Sequence, residues 1–341
     1  MTGFPALIDK VQRRVDLTVD EAAGAMAAIM DGDVPSSQIA GLLVGLAMKG
    51  ERPDEIVGLA RTMRERATKL SRSFSPVFDT CGTGGDGAQT FNVSTVAAVV
   101  LAACGVRVAK HGNRSASSRC GSADLFEALG VNVAAPPAVV ERCFDEAGIG
   151  FLFAQVFHPS MKHVAPIRRE LGVRTAFNLL GPLTNPAGAE RQLVGVPRPE
   201  LTELVARSLA QLGAERAWVV HGADGLDEIS TTGYTKVSEC RDGSVNTFYL
   251  HPADVGLAKA SPAALRGGDA QENARIAKTV LSGEPGPARD IVLLNVAASL
   301  LIASRVATIP EGLMLAADAI DSGRARTVLD ALVHSSQDGR A

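Results

Sequence analysis

The chain has 341 residues and a formal net charge of -3, with 46% hydrophobic and 21% charged residues, a composition typical of a soluble globular protein. It contains no block of consecutive lysines or arginines long enough to neutralise a run of backbone phosphates, which argues against binding along a nucleic-acid backbone. Its longest apolar stretches are shorter than the roughly 20 residues of a membrane-spanning helix and end at glycine, so no membrane span is expected.

The N-terminus has neither a basic start followed by an apolar run nor an Arg- and Ser-rich composition. We therefore expect no export signal and a cytoplasmic location. The five cysteines form an odd set without a CxxC pair, which favours reduced thiols over disulfides or structural zinc.

Residues 1 to about 70 have apolar residues at helical spacing and no strand pattern, which predicts a small all-helical domain over residues 1–75. Thr18 and Glu21 form a capping-box pattern. Gly50 ends an apolar helix, and Pro53 stands where a first-turn proline is tolerated. The polar segment 71–76 is the predicted connector to the next domain.

After this connector, short β-prone runs alternate with alanine-rich helices. This pattern predicts a large α/β domain with a central, mostly parallel sheet flanked by helices. The predicted strands are 77–80, 106–112, 151–154 and 217–222, and we expect the alternation to continue towards the C-terminus. Segment 158–188 is helix-prone and ends in a Pro/Gly/Asn-rich loop, so it is expected to leave the sheet.

The first informative motif is DTCGTGGDGAQTFNVST, residues 79–95, between a predicted strand and a predicted helix. Its glycines free backbone N–H groups, and the start of the helix adds a positive partial charge and the hydroxyls of Ser94 and Thr95. The motif therefore predicts a phosphate-binding loop. Taken alone, a glycine loop that merely makes a tight turn would be the better interpretation.

The same letters satisfy G-x-G-x-x-G, the dinucleotide-binding pattern. That pattern requires an acidic residue after the second strand, where this chain has Lys110 and His111. A basic residue suits phosphate and cannot accept a hydrogen bond from a ribose hydroxyl, which argues against a nicotinamide cofactor. A Walker loop is excluded because no Gly-Lys-Ser/Thr follows the glycines.

The second motif, KHGNRSASSRCGSADLFEALG, residues 110–130, follows the next predicted strand and is rich in serine and basic residues. Neighbouring parallel strand ends meet at one sheet edge. The two motifs are therefore expected to converge on one anionic ligand.

The third motif, HGADGLDEIS, residues 221–230, carries Asp227 and Glu228 after a predicted strand. Adjacent carboxylates together with substrate phosphates suit Mg²⁺; without the phosphate loops, a solvated acidic loop would be the preferred interpretation. In HVAPIRRELG, Arg168 is suited to pairing with a carboxylate. Sequence alone barely separates this role from that of a surface helix residue for Arg168 or Arg169.

These motifs, together with RRELGVRTAFNLLGPLTNP, resemble the anthranilate phosphoribosyltransferase family over nearly the whole chain. The resemblance implies a helical domain of residues 1–75, joined by about 165–190. It implies an α/β domain of residues 76–164 and 191–341, and a homodimer formed through the helical domains. The implied reaction transfers the phosphoribosyl group of phosphoribosyl pyrophosphate (PRPP) to the amino group of anthranilate, in tryptophan biosynthesis, with Mg²⁺.

The resemblance also implies site residues. The implied PRPP contacts are Gly82, Gly85, Asp86, Thr90, Asn92, Val93, Ser94, Thr95, Lys110, His111, Gly112, Asn113, Arg114, Ser115, Ala116, Ser117, Ser118 and Ser122. The implied anthranilate contacts are Gly82, Asn113 and Arg168, and Ser94, Asp227 and Glu228 would serve Mg²⁺. No definite general base is evident, and His111 is the candidate.

Two alternatives stay open at this point. A nucleoside phosphorylase would place inorganic phosphate in the glycine loop and would require phosphate for activity. A catalytically silent relative would bind nucleic acid on the same scaffold; the acidic composition and the Asp227–Glu228 pair argue against it.

Overall fold

The computed structural model describes residues 3–85, 87–115 and 119–337. Its N-terminal part is all helical, with α1 (Phe4–Gln12), α2 (Val19–Asp31), α3 (Ser36–Lys49) and α4 (Pro53–Arg66). The start and stop signals act as predicted. Thr18 Oγ1 accepts from Glu21 N at 3.2 Å while Glu21 Oε2 accepts from Thr18 N at 2.8 Å, and Gly50, at φ +87°, follows α3.

The remaining part is built on a seven-stranded sheet in the order β3-β2-β1-β4-β5-β6-β7. The first five strands are parallel, and β6 and β7 are antiparallel. The strands are β1 (Phe78–Gly82), β2 (Val108–Gly112), β3 (Ile149–Phe153), β4 (Arg191–Gly195), β5 (Arg216–Gly222), β6 (Thr235–Arg241) and β7 (Ser244–Leu250). The prediction of a helical domain and a larger α/β domain with a mostly parallel sheet is confirmed.

Further helices follow α4 along the chain. They are α5 (Val93–Ala103), α6 (Ser122–Ala128), α7 (Pro137–Ala147), α8 (Ala154–Phe157), α9 (Ala165–Leu171), α10 (Phe177–Leu183), α11 (Leu201–Gln211), α12 (Ala270–Leu281), α13 (Pro287–Ile302), α14 (Ile309–Asp321) and α15 (Arg324–Gln337). Three short 3-10 turns span Pro159–His163, Pro252–Val255 and Pro262–Leu265. Within the described ranges, no helix is both long and apolar enough to cross a bilayer.

Two hydrophobic cores lie on the two faces of the sheet. On one face, strand residues such as Phe78 and Val220 pack with α5 and α13. On the other, Cys81 and Val219 pack with α11 and with the N-terminal helices. Each fully buried aliphatic or aromatic side chain contributes about 1.5–3 kcal/mol, so both layers hold the sheet rigid beneath the loops at its edge.

Segment 158–188 leaves the sheet as predicted, forming α9 and α10 between β3 and β4. Ile167 and Phe177 are buried in the same core as Leu42 of α3 and Met63 of α4. The segment therefore packs with the N-terminal helices.

The expectation that strand–helix alternation continues to the C-terminus is wrong. After β5 the chain forms the β6–β7 hairpin and then helices α12–α15, with no further strand up to residue 337. Strand β4 was also missed, because RQLVG begins with two polar residues and follows helix-prone text and a Pro/Gly/Asn-rich loop. The hairpin was missed because the pattern of β7, mostly exposed, lacks an apolar run.

Candidate active site

The candidate site lies where the parallel strands end. Strands β1, β2 and β5 each run directly into one of the three motifs, and β4 ends between β1 and β5. Because the carboxyl ends of parallel strands share one edge, the loops after these strands form a common cleft.

The glycine-rich loop follows β1 and leads into α5. Gly84, Gly85 and Gly87 have φ between +65° and +77°, a conformation that residues with a Cβ rarely adopt. The loop ends at the start of α5, whose N-terminus places a positive partial charge at the cleft. This is the arrangement expected of an anion-binding loop.

Asp227 and Glu228 lie across this loop. Asp227 Oδ2 accepts from Gly84 N at 3.1 Å, and Glu228 Oε1 accepts from Ser94 N at 3.1 Å. A Cβ at Gly82 would overlap the Asp227 carboxylate, and one at Gly195, the last residue of β4, would overlap Asp227 O. The structure therefore brings together the sequence-predicted residues Gly82, Ser94, Asp227 and Glu228.

The acidic loop is held from both sides. The Asp224 carboxylate accepts from Ser230 Oγ at 2.8 Å and from Thr232 Oγ1. From α13, the fully buried Asn295 accepts from Ile229 N at 3.0 Å and donates to Ile229 O at 2.9 Å. Asp224 and Asn295 were not predicted from the sequence as loop-shaping residues. Asp224 stood inside the third motif, whereas nothing local to the motif pointed to Asn295.

The serine-rich loop is shaped by Asp124. Its Oδ2 accepts from Gly121 N at 2.8 Å and from Ser115 N at 3.1 Å. A Cβ at Gly112 would overlap Ser122 Oγ, so the two ends of the loop lie in close contact. Arg114 points to α6, where it pairs with Asp124 at 3.0 Å and Glu127 at 2.8 Å.

The predicted contacts Asp86, Ala116, Ser117 and Ser118 lie outside the described residues. Two further predicted PRPP contacts, Val93 and Thr95, have buried side chains. Val93 is 1% exposed within the core, and Thr95 Oγ1 is buried without a hydrogen-bond partner among the described residues. Thr90 forms an isolated antiparallel bridge with Arg266, and the side chain of Asn113 accepts from Arg114 N at 2.8 Å.

Lys110 lies in the floor of the cleft and is only 2% exposed. Its ammonium donates to Thr80 O. Nearby, the fully buried Asp79 accepts from His111 N at 3.2 Å and Asn185 Nδ2 at 2.8 Å. Burial raises the pKa of Asp79, and the Lys110 charge is the largest opposing influence. The pair fixes β1 against β2 below the two phosphate loops.

His111 lies on the other face of β2. Its Nδ1 is 3.0 Å from Gly181 O, and its ring packs 5.2 Å from that of His158. Burial, and then the neighbouring His158, lower the pKa of His111 to about 3. A base works best with a pKa near the operating pH, so His111 is a poor general base at neutral pH.

Two arginines of segment 158–188 face the glycine-rich loop side of the cleft. Arg174 Nη1 donates to Gly84 O at 2.8 Å, and a Cβ at Gly85 would overlap its guanidinium. Arg168 lies over the Phe177 ring at 5.6 Å, and burial, followed by the Arg174 charge, lowers its pKa. Arg174 was not among the site residues predicted from the sequence, although it lies within RRELGVRTAFNLLGPLTNP.

All-oxygen ligands are available at this cleft. Ser94, Asp227 and Glu228 offer a hydroxyl and two carboxylates, the ligand type that Mg²⁺ prefers. Among the residues described, no group of three or more His, Cys, Asp or Glu side chains could by itself enclose a metal. The residues fit an ion that a phosphorylated ligand helps to hold.

Known proteins resemble both parts of the chain. Residues 5–67 match the family model described as "Glycosyl transferase family, helical bundle domain", and residues 75–326 match "Glycosyl transferase family, a/b domain". A relative from Symbiobacterium thermophilum, named anthranilate phosphoribosyltransferase, is 57% identical over 325 residues, 95% of each chain.

Two solved structures extend this comparison. Anthranilate phosphoribosyltransferase from Thermus thermophilus superposes with a TM-score of 0.91 at 48% identity, covering 97% of this chain and 99% of that one. The protein of that name from Saccharomyces cerevisiae, in complex with PRPP and Mg, superposes with a TM-score of 0.88 at 28% identity, covering 98% and 97%.

Proposed function

The chain belongs to the anthranilate phosphoribosyltransferase family, and we propose that the cleft at the strand ends is where it moves the phosphoribosyl group of PRPP to the amino group of anthranilate. The reaction gives N-(5-phosphoribosyl)anthranilate and pyrophosphate and is a step of tryptophan biosynthesis. The chain is thus a glycosyltransferase that acts on a pentosyl donor.

One observation carries the placement of the reaction. Asp227 and Glu228 accept N–H groups from Gly84 and Ser94, so two carboxylates stand directly over an anion-binding loop. Carboxylates facing a phosphate site would repel a bare polyphosphate, and a divalent cation between them removes that repulsion. This arrangement supports PRPP as the ligand, with its pyrophosphate near the glycine-rich loop.

Mg²⁺ accompanies PRPP in the yeast relative. In this chain we assign Ser94, Asp227 and Glu228 to the ion, because Glu228 contacts Ser94 at the start of α5 and the adjacent Asp227 contacts the glycine-rich loop at Gly84. When bound, Mg²⁺ would stabilise negative charge on the departing pyrophosphate. The glycine-loop N–H groups and the Arg174 guanidinium act on the same charge.

The transfer forms one bond and breaks one. The anthranilate nitrogen uses its lone pair to bond to C1 of the ribose, while the C1–oxygen bond to pyrophosphate breaks and its electron pair leaves with pyrophosphate. An aryl amine is neutral at pH 7, so the proton leaves late, to water or pyrophosphate. The protein contributes mainly positioning and charge stabilisation, consistent with the low pKa of His111.

Anthranilate carries a carboxylate, for which we assign Arg168. Its guanidinium is partly buried over Phe177, so it presents a charge beside an aromatic ring. Asn113 and Gly82, at the ends of β2 and β1, complete the proposed anthranilate contacts. The remaining residues of the two loops that resemble the family are proposed PRPP contacts.

We further propose that segment 165–190 belongs to the helical domain, because Ile167 and Phe177 share its core.

A homodimer through this domain would cover Met48 of α3, which is 74% exposed. The five cysteines are buried and form no disulfide, which suits a reducing compartment such as the cytoplasm. Sedimentation equilibrium of the wild type and Met48→Lys would test the dimer; equal masses would contradict this interface.

The activity is tested by anthranilate fluorescence. Purified protein, PRPP, Mg²⁺ and anthranilate are mixed, with each component omitted in turn. Loss of fluorescence that needs all of them supports the proposal. A reaction that instead needs inorganic phosphate and a nucleoside would contradict it.

A further inference from the structure

Asn273 is a buried side chain outside the three motifs. It lies in the first turns of α12 and is 1% exposed. Its Oδ1 accepts from Gly268 N at 2.8 Å, and its Nδ2 donates to Asn92 Oδ1 at 2.9 Å. Both ends of this carboxamide are therefore used.

Asn92 continues the connection. It is the last residue of the glycine-rich loop, directly before α5, and its Nδ2 donates to Cys120 O in the serine-rich loop at 3.0 Å. One chain of hydrogen bonds thus runs from α12 through the end of the first phosphate loop to the second.

The donor and acceptor roles of the two asparagine side chains are fixed by the backbone groups at the two ends of this hydrogen-bond series. Gly268 N can only donate, so Asn273 must present its oxygen there and its nitrogen to Asn92. Cys120 O can only accept, so Asn92 must present its nitrogen to it. A reversed amide at either position would set two donors or two acceptors against each other.

The backbone around Asn273 supports the same contact. Gly267 N donates to Gln89 O at 2.8 Å and Phe91 N donates to Leu265 O at 3.2 Å. Residues 265–267 thus run antiparallel to residues 89–91. A Cβ at Gly267 would lie 2.7 Å from Phe91 N, so the two segments pack at backbone distance.

We propose that Asn273 is a positioning residue for PRPP, which sets the glycine-rich and serine-rich loops at one fixed spacing. PRPP carries two separate phosphorylated ends, the 5-phosphate and the pyrophosphate, and binding both at once needs two anion sites at a defined separation. A preorganised pair of loops binds such a ligand without first losing conformational freedom. The proposal rests on the proposed function, since it assumes that PRPP occupies both loops.

The test compares Asn273→Asp and Asn273→Ala with Gln271→Ala. Gln271 lies in the same turn of α12 but is exposed. Asp keeps the acceptor for Gly268 N and loses the donor to Asn92, whereas Ala removes both without burying a charge. Steady-state KM for PRPP, KM for anthranilate and kcat are measured for each, together with thermal unfolding.

Both Asn273 variants are expected to raise the PRPP KM about tenfold, the loss typical of a missing buried hydrogen bond. The anthranilate KM should stay within about twofold, and Gln271→Ala should match the wild type. A merely structural role lowers the folded fraction and hence kcat, leaving both KM values in place. Folded variants with an unchanged PRPP KM, or with equal rises in both KM values, overturn the proposal. A wild type that does not use PRPP overturns instead the proposed function.

Discussion

Asn295 binds both polar groups of the Ile229 backbone, accepting from Ile229 N at 3.0 Å and donating to Ile229 O at 2.9 Å. Ile229 directly follows Glu228. A side chain on α13, 66 residues further along the chain, therefore fixes the backbone that presents the proposed magnesium ligands.

Asn295→Ala is expected to raise the Mg²⁺ concentration needed for half-maximal activity. The change leaves Ile229 N and O buried without partners, at about 1–3 kcal/mol for each group, and frees the loop that carries Asp227 and Glu228. The measurement is a magnesium titration of initial rate at saturating substrates. Ser299→Ala is the control, because Ser299, one turn on, donates only to Asn295 O. Equal magnesium dependence in both variants would contradict the role of Asn295.

Asp227→Asn combined with Glu228→Gln should leave the fold intact and remove most magnesium-dependent turnover. Both amides keep an oxygen that can accept from Gly84 N and Ser94 N, but they lose the charge that a divalent cation requires. Circular dichroism reports folding, and the fluorescence assay with added Mg²⁺ reports turnover. Asp242→Asn, on the exposed β6–β7 turn, serves as the charge control. Full activity of the double variant would refute the assignment.

Substitution of Arg168 and of Arg174, both in segment 158–188, is expected to affect the KM values of different substrates. Arg168→Ala should raise the KM for anthranilate on the order of tenfold, more than that for PRPP, through loss of a charged contact. Arg174→Ala should do the reverse, since Arg174 contacts the glycine-rich loop. Arg169→Ala, next to Arg168 but exposed, is the control for both. The opposite pattern of KM changes would contradict the assignment of Arg168 to anthranilate and of Arg174 to PRPP.

The buried histidines predict a dependence of stability on pH. His111 has a pKa of about 3 in the folded protein, against an ordinary value of 6.5. Between these values the unfolded chain binds a proton and the folded chain does not, so the free energy of unfolding falls as pH falls. For one histidine the slope is at most about 1.4 kcal/mol per pH unit.

The free energy of unfolding, measured by urea titration at several pH values between about 4.5 and 7, would give this slope. His111→Gln should reduce the difference in stability across the window, while His334→Gln, exposed on α15, should retain the wild-type difference. His158, with a pKa of about 4, adds a contribution of the same sign. Identical pH slopes for wild type and His111→Gln would show that His111 is protonated alike in both states.

Local patterns in the sequence were sufficient for much of this architecture. The capping pair Thr18–Glu21, the strand ends that carry Gly82 and Gly112, and the loop of Asp227 all depend on residues close together in the chain. Strand β4 and the β6–β7 hairpin lacked such patterns, since β4 begins with two polar residues after a Pro/Gly/Asn-rich loop and β7 is mostly exposed.

Within the site, the residues missed are those whose partners are distant in sequence. Asn273 contacts Asn92 across 181 positions, Asn295 contacts Ile229 across 66, and Arg174 contacts Gly84 across 90. A buried asparagine in an amphipathic helix has the same local pattern as any helical asparagine. Only the folded neighbours reveal that its carboxamide contacts another loop.

Gly195 has no side chain and is not itself a proposed substrate contact. A Cβ at this position would overlap the carbonyl oxygen of Asp227, and every other amino acid brings a Cβ. No missense mutation in codon 195 is therefore conservative, whatever the chemical character of the new residue. In a genetic selection for tryptophan auxotrophs, this end of β4 should yield alleles as severe as those in the acidic loop itself.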